Sequence, residues 1–269
     1  MFRDDLGEPA SIQDLEALSG KKRRARLDAI RVACQAFING PFLKTFDEVL
    51  TSEMRSARIA PTRYRAEPDA GDADQQTVLL WYPVVTAGAS PYIRSAVKIE
   101  AGAKSALDPH VLTTVKPYAA DDVAAIDLQV TGITTVEPQR TFWDKVVILH
   151  GLRAWYDRRG QLRHGGQRVS RHFFDVFRML QSPLGERAMA DRTLGADCAR
   201  HATMFFDSPD FDLEHAVAGT FKLVPPPDME ALLERDYDAM AMMITGAVPP
   251  FADVMTAIAV LDRRLNVSR

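Results

Sequence analysis

"TFWDKVVILH" (141–150) is an apolar stretch with one lysine inside it. Phe142, Lys145, Leu149 and Leu152 recur at helical spacing and share one stripe, so Lys145 sits within an apolar seam. An ammonium in that position either snorkels to the edge or meets an anion, which could be a carboxylate or a bound phosphate.

The next helical stretch, "RHFFDVFRML" (171–180), supplies a carboxylate. Phe173, Phe174, Val176, Phe177 and Leu180 make its buried side, and Ser170 is placed to cap its start. Asp175 shares a face with Arg171, His172 and Arg178. That face reads either as a solvated Arg–Asp–Arg ladder or as a carboxylate held by bases beside a phosphate.

Between the two helices runs "DRRGQLRHGGQR" (157–168), and from Arg153 to Arg178 seven arginines face two aspartates. Guanidinium forks suit phosphate and RNA backbone. An ordinary solvated loop is the alternative.

Helices are expected over about 140–157, 170–181, 184–206, 228–245 and 251–265, with Asp228 as a cap. Upstream of Pro138 the pattern is mixed. Ser11 followed by Asp14 opens a short helix, and a longer one carrying Leu27, Ile30, Cys34, Phe37 and Ile38 is broken at Gly40-Pro41 and resumes from Phe42. The Lys21–Arg26 cluster reads as the wet face of that helix, with a phosphate contact as the other reading. Strands are expected in "TRYRAEP" (62–68), "QTVLLWYPVV" (76–85), "SAVKIEAG" (95–102) and "AIDLQVTGITT" (125–135). The second is apolar enough to be covered on both faces. In the third, Lys98 and Glu100 point to one face, either as a surface ion pair or as a Mg²⁺-binding carboxylate beside a lysine. The fold class is therefore α+β followed by an all-helical part, with the boundary near 138 (1–139 and 140–269).

Composition narrows the function. With 46 % hydrophobic and 26 % charged residues the chain is of ordinary globular type, and its net charge of −3 requires any nucleic-acid contact to be a local patch. Two distant cysteines suggest neither a disulfide framework nor a zinc site, so a reducing cytoplasm is expected. No apolar run reaches the ~18–20 residues of a membrane span, and "MFRDDLGEP" lacks a signal-peptide core. The phosphate-loop, dinucleotide, zinc-protease, CxxC and serine-hydrolase motifs are absent.

The order of "VKIEAG", "EPQR", "TFWDK", the arginine loop, "RHFFD" and the closing "DYDAMAMMITGAVPPFADVMTAIAVLDRRLN" (236–266) resembles the AbiEii/AbiGii-type nucleotidyltransferase toxins of abortive-infection and toxin–antitoxin systems. The resemblance covers nearly the whole chain. It implies a polymerase-β-like nucleotidyltransferase mixed sheet with helices, followed by a helical domain. It also implies an NTP donor, Mg²⁺, an RNA (tRNA-like) or protein acceptor and a cognate antitoxin. Lys145 matches the family's lysine that neutralises triphosphate charge, and Asp175 matches the aspartate of its RHxxD helix. Lys98, Arg171 and His172 become phosphate-binding candidates, and Glu100 the strand carboxylate nearest the metal.

One departure accompanies the match. The family's Gly/Ser turn and Asp-x-Asp strand are not found, and their place in the order falls just before "FRDDLGEP". The chain is thus expected to be a relative that begins after its metal-binding strand, with an incomplete sheet whose edges invite association. A non-catalytic RNA- or protein-binding module is the runner-up function. A purely structural domain with a buried Lys145–Asp175 pair is the third.

Overall fold

The computed structural model describes residues 12–84, 95–104, 106–123, 127–166, 168–206 and 208–267, and the side chains of all of these except Ala119 and His164. Ser11, Asp4 and Asp5, and the ends of two expected strands (residues 85, 125 and 126), lie outside them. By internal contacts the chain divides into two compact units, Met1–Ser105 and Ala106–Arg269. The observed class is α+β with a helical C-terminal region.

In the first unit, α1 (Ile12–Glu16) precedes α2 (Gly20–Phe37) and α3 (Leu43–Ser56). The expected break at Gly40-Pro41 does not occur. Ile38–Phe42 winds through as a wider π turn that carries Pro41 inside it. Proline lacks the N–H of the ordinary helical ladder and its ring needs room, which the wider turn provides. No residue of α2 is buried, so the Lys21–Arg26 cluster lies on an exposed helix. Arg23 folds back to donate to the carbonyls of Leu15 and Glu16 at the end of α1.

The sheet of this unit has the order β1 (Arg65–Pro68), β2 (Thr77–Trp81), β3 (Ala96–Glu100), with both pairings antiparallel. Consecutive residues Thr77, Val78 and Leu79 are all buried, so β2 is covered on both faces. The β1–β2 loop is stapled by its own aspartates. Asp72 accepts from the N–H groups of Asp74 and Gln76, and Lys104 pairs with Asp74 at 2.7 Å. The Asp72-Ala73-Asp74 triplet is therefore a loop device here.

The second unit opens with an antiparallel pair, β4 (His110–Val115) and β5 (Val130–Val136). Sequence reading missed β4, a short β-branched run between Pro109 and Pro117. The contact division falls earlier than the change of character near 138 because β4 is tied to the first long helix. The N–H of Glu137 donates to the carbonyl of Pro109 at 2.8 Å, and Arg140 donates to that of Asp108 at 3.1 Å.

That helix, α4 (Pro138–Arg159), starts with Pro138 in its first turn and ends at Gly160, whose φ of 62° is the left-handed cap geometry glycine favours. Phe142, Trp143, Val146, Val147, Leu149, Leu152 and Ala154 are all buried. A helix apolar on most sides is a core helix, and α4 packs against α5 (Ser170–Leu180), α6 (Pro183–Ala190) and α7 (Arg192–Phe205).

The expected single helix over 184–206 is two helices. Asp191 leaves helical geometry (φ −89°, ψ 76°) and caps α7 by accepting from Leu194 N–H at 2.9 Å. The chain closes with α8 (Pro227–Met240) and α9 (Phe251–Asn266), both packed on α5. Pro226 occupies the cap position of α8, which places Asp228 inside the first turn and not at the cap. Among the described residues, no helix is long and apolar enough to cross a membrane.

Candidate functional site

Lys145 on α4 finds an anion on the neighbouring helix. Its Nζ lies 2.8 Å from Asp175 Oδ2 and 3.1 Å from His172 Nδ1, both on α5. An ammonium only donates, so His172 accepts at Nδ1 and carries its proton on Nε2. The Lys145 side chain keeps 21 % of its exposure and Asp175 keeps 40 %. The pair is thus a half-sheltered cluster within reach of a ligand, and neither a buried pair nor a free surface one.

The Arg–Asp–Arg ladder does not form. Arg171 and Arg178 are exposed and make no ion pair among the described residues. The reason is geometric: neighbours on one helix surface compete with a partner on a packed helix, and the packed partner is already fixed in place.

The start of α5 also departs from expectation. Ser170 is the first helical residue and not the cap. The cap comes from another helix: buried Asp236 on α8 accepts from the N–H groups of Arg168, Val169 and Ser170 and from the Ser170 hydroxyl, at 2.7–2.8 Å. Sequence reasoning did not find Asp236. Its signal was present, because Met229, Leu233, Asp236 and Met240 form one buried stripe with a carboxylate inside it, as Lys145 does on α4.

The arginine loop is partly committed to the protein. Arg153 pairs with Asp157 at 2.8 Å and donates to the Val224 carbonyl. Arg159 pairs with Asp210 at 2.6 Å. Arg163 lies over Phe211 at 4.7 Å and over Trp155 at 5.4 Å, and burial lowers its pKa. Arg158, Arg171 and Arg178 remain exposed and unpaired among the described residues.

In the first turns of α4 a second polar group is enclosed. Arg140, 5 % exposed, donates through Nε to Asp144 at 3.2 Å, while its Nη2 has no partner among the described residues. Buried Cys198 and His201 stand near it. Desolvation, with the nearby Asp144 charge, raises the Cys198 thiol, and desolvation with the Arg140 charge lowers His201 to about 4.

In the first unit, Lys98 and Glu100 pair across one face of β3 at 2.6 Å, with side chains 44 % and 69 % exposed. A metal at Glu100 would have to displace that ammonium. Glu100 offers a metal one carboxylate, and Mg²⁺ would need further oxygen donors beside it. Asp212, Glu214 and His215 bring their ligating atoms within 4.8 Å of one another. His215 Nδ1 is already 2.7 Å from Asp212 Oδ1, so this acidic stretch satisfies itself.

Residues 13–259 match the family model described as "Nucleotidyl transferase AbiEii toxin, Type IV TA system". The chain belongs to the AbiEii family. The matched span includes both helices of the Lys145 cluster, β3 and the capping Asp236, so all these features belong to the AbiEii region of the chain. No curated protein and no solved structure matches the chain.

Proposed function

We propose that this AbiEii protein is a nucleotidyltransferase toxin that transfers a nucleotide from an NTP to an RNA acceptor, with Lys145 and Asp175 in the site. Transfer moves a nucleoside monophosphoryl group onto an acceptor hydroxyl and releases pyrophosphate, so negative charge builds on the leaving group. Positioned cations supply most of the catalysis in such reactions. Lys145 is the cation, and Asp175 and His172 hold it in place until phosphate oxygens replace one of them. Arg171, exposed one turn before Asp175, is proposed as a further phosphate contact. On β3 of the first unit, Lys98 is proposed by itself as a phosphate contact and Glu100 as a Mg²⁺ contact, provided their mutual pair opens. As a member of a type IV toxin–antitoxin family, the chain is proposed to work against a cognate antitoxin.

The observation that carries this reading is the Lys145 ammonium, 2.8 Å from Asp175 and 3.1 Å from His172, and still accessible. The test incubates the protein with Mg²⁺, each labelled NTP in turn and total tRNA, with Lys145→Ala in parallel. Label on RNA that vanishes in the variant supports transfer.

A second reading has its own observation: the cluster contains a single carboxylate, and the strand carboxylate Glu100 already carries Lys98. On that reading the chain binds RNA through Arg158, Arg171 and Arg178 without chemistry. Absence of label from folded protein, together with salt-sensitive RNA binding, would favour it.

A further inference from the structure

We infer that Asp236 is a positioning residue for the Lys145 cluster: it sets the start and direction of α5, and so delivers His172 and Asp175 to Lys145. Its relevance to transfer rests on the reading above, whereas its structural content does not.

A helix leaves its first N–H groups unsatisfied, and a local side chain normally caps them. Here the residue before the helix is Val169, which cannot cap. Arg168 takes a left-handed conformation with φ 60°, rare for a side-chain-bearing residue, and Val169 follows in right-handed geometry. A left-handed residue next to a right-handed one turns successive N–H groups toward one point and makes an anion-binding hollow. The carboxylate of Asp236 fills it, accepting from Arg168, Val169 and Ser170 N–H at 2.7, 2.8 and 2.7 Å and from Ser170 Oγ at 2.7 Å.

The hollow is therefore closed to a ligand phosphate. The strained backbone at Arg168 is held by a residue 68 positions away. His172 lies two residues past Ser170, and Asp175 follows one turn later. A rotation of the first turn moves both relative to α4, where Lys145 makes contacts of 2.8 and 3.1 Å that tolerate little displacement.

The test is the long-range ¹H–¹⁵N spectrum of the histidine rings in the free protein, without nucleotide. Wild type is expected to show His172 with its proton on Nε2 and an accepting Nδ1. In Asp236→Asn, which keeps the volume but turns one acceptor into a donor, the His172 Nδ1 signal should shift. In Asp236→Ala it should shift further, and formate, able to refill the hollow, should restore it where chloride does not. Leu265→Ala, a buried site at the end of α9, is the control for stability loss alone. An Asp236→Asn spectrum at His172 indistinguishable from wild type and from Leu265→Ala overturns the inference. If the Asp236 variants do not fold, Ser170→Ala removes one of the four bonds: a smaller shift in the same direction supports the inference, and no shift overturns it. Where wild type transfers label, Asp236→Asn should lower kcat on the order of 10–100-fold and Leu265→Ala should not. A wild type without transfer activity defeats the functional reading and leaves the spectroscopic test standing.

Discussion

Gly195 on α7 lies so close to the indole of Trp143 on α4 that a Cβ there would sit 2.9 Å from two ring carbons. The ring cannot retreat. Trp143 is 1 % exposed, and its Nε1 donates to the Ala188 carbonyl at 2.8 Å. The absence of one carbon is what lets α7 approach the central helix. Gly195→Ala should therefore destabilise by about 1–3 kcal/mol through overpacking. Gly40→Ala, where a Cβ meets nothing within 4 Å, should be neutral or stabilise by up to about 1 kcal/mol. Urea unfolding of both variants measures the contrast, and equal effects would refute the packing account.

Removing the charge of Lys145 separates chemistry from stability. The Lys145→Met side chain still fits an apolar seam, and Asp175, 40 % exposed, can be hydrated. The change in unfolding free energy should stay within about 1 kcal/mol, while nucleotide transfer should fall by a factor of about 100 or more. A variant that keeps full transfer would remove Lys145 from the site.

The arginines of the loop should divide into two groups. Arg163→Gln loses its contacts with Trp155 and Phe211 and should cost about 1 kcal/mol of stability. Neutralising Arg158, Arg171 or Arg178, exposed and unpaired among the described residues, should leave stability within about 0.5 kcal/mol. Each of these three should weaken RNA binding and flatten its salt dependence by about 0.7 in slope. Titrations at several salt concentrations would show it, and unchanged slopes in all three would exclude that face.

Acid should destabilise the second unit through its buried histidines. His201 is lowered from 6.5 to about 4, chiefly by desolvation, so its unfolded form takes up a proton first. The stability from the neutral ring is fully present above pH 6.5 and is lost as pH falls toward 4, up to about 3 kcal/mol. Fully buried His150, also depressed by desolvation, acts in the same direction. Unfolding at pH 7 and pH 4.5 should show a smaller acid loss in His201→Phe, which keeps a ring against Phe205 but cannot titrate. An equal loss in both proteins would assign the acid sensitivity elsewhere.

Local periodicity determined much of what the sequence by itself settled. The apolar stripe of "TFWDKVVILH" makes α4 a core helix and puts Lys145 in its seam, because side chains three and four apart share a face whatever surrounds them. The same rule placed α5, α9 and the exposed face of α2, while a continuous apolar run placed the doubly covered strand β2, and the family came from the resemblance in motif order.

Tertiary structure alone decided the partners. Lys145 chose His172, 27 positions away, and Asp175 beyond it, over the ladder that helix spacing suggested. The cap of α5 came from Asp236, 66 positions beyond Ser170, over the serine standing at the helix start. The break inside 184–206 and the passage of Pro41 through a π turn were settled in the same way. A pattern repeating every few residues records which face of an element is buried. It carries no record of which distant side chain will lie opposite, and that depends on how the packed helices bring their faces together.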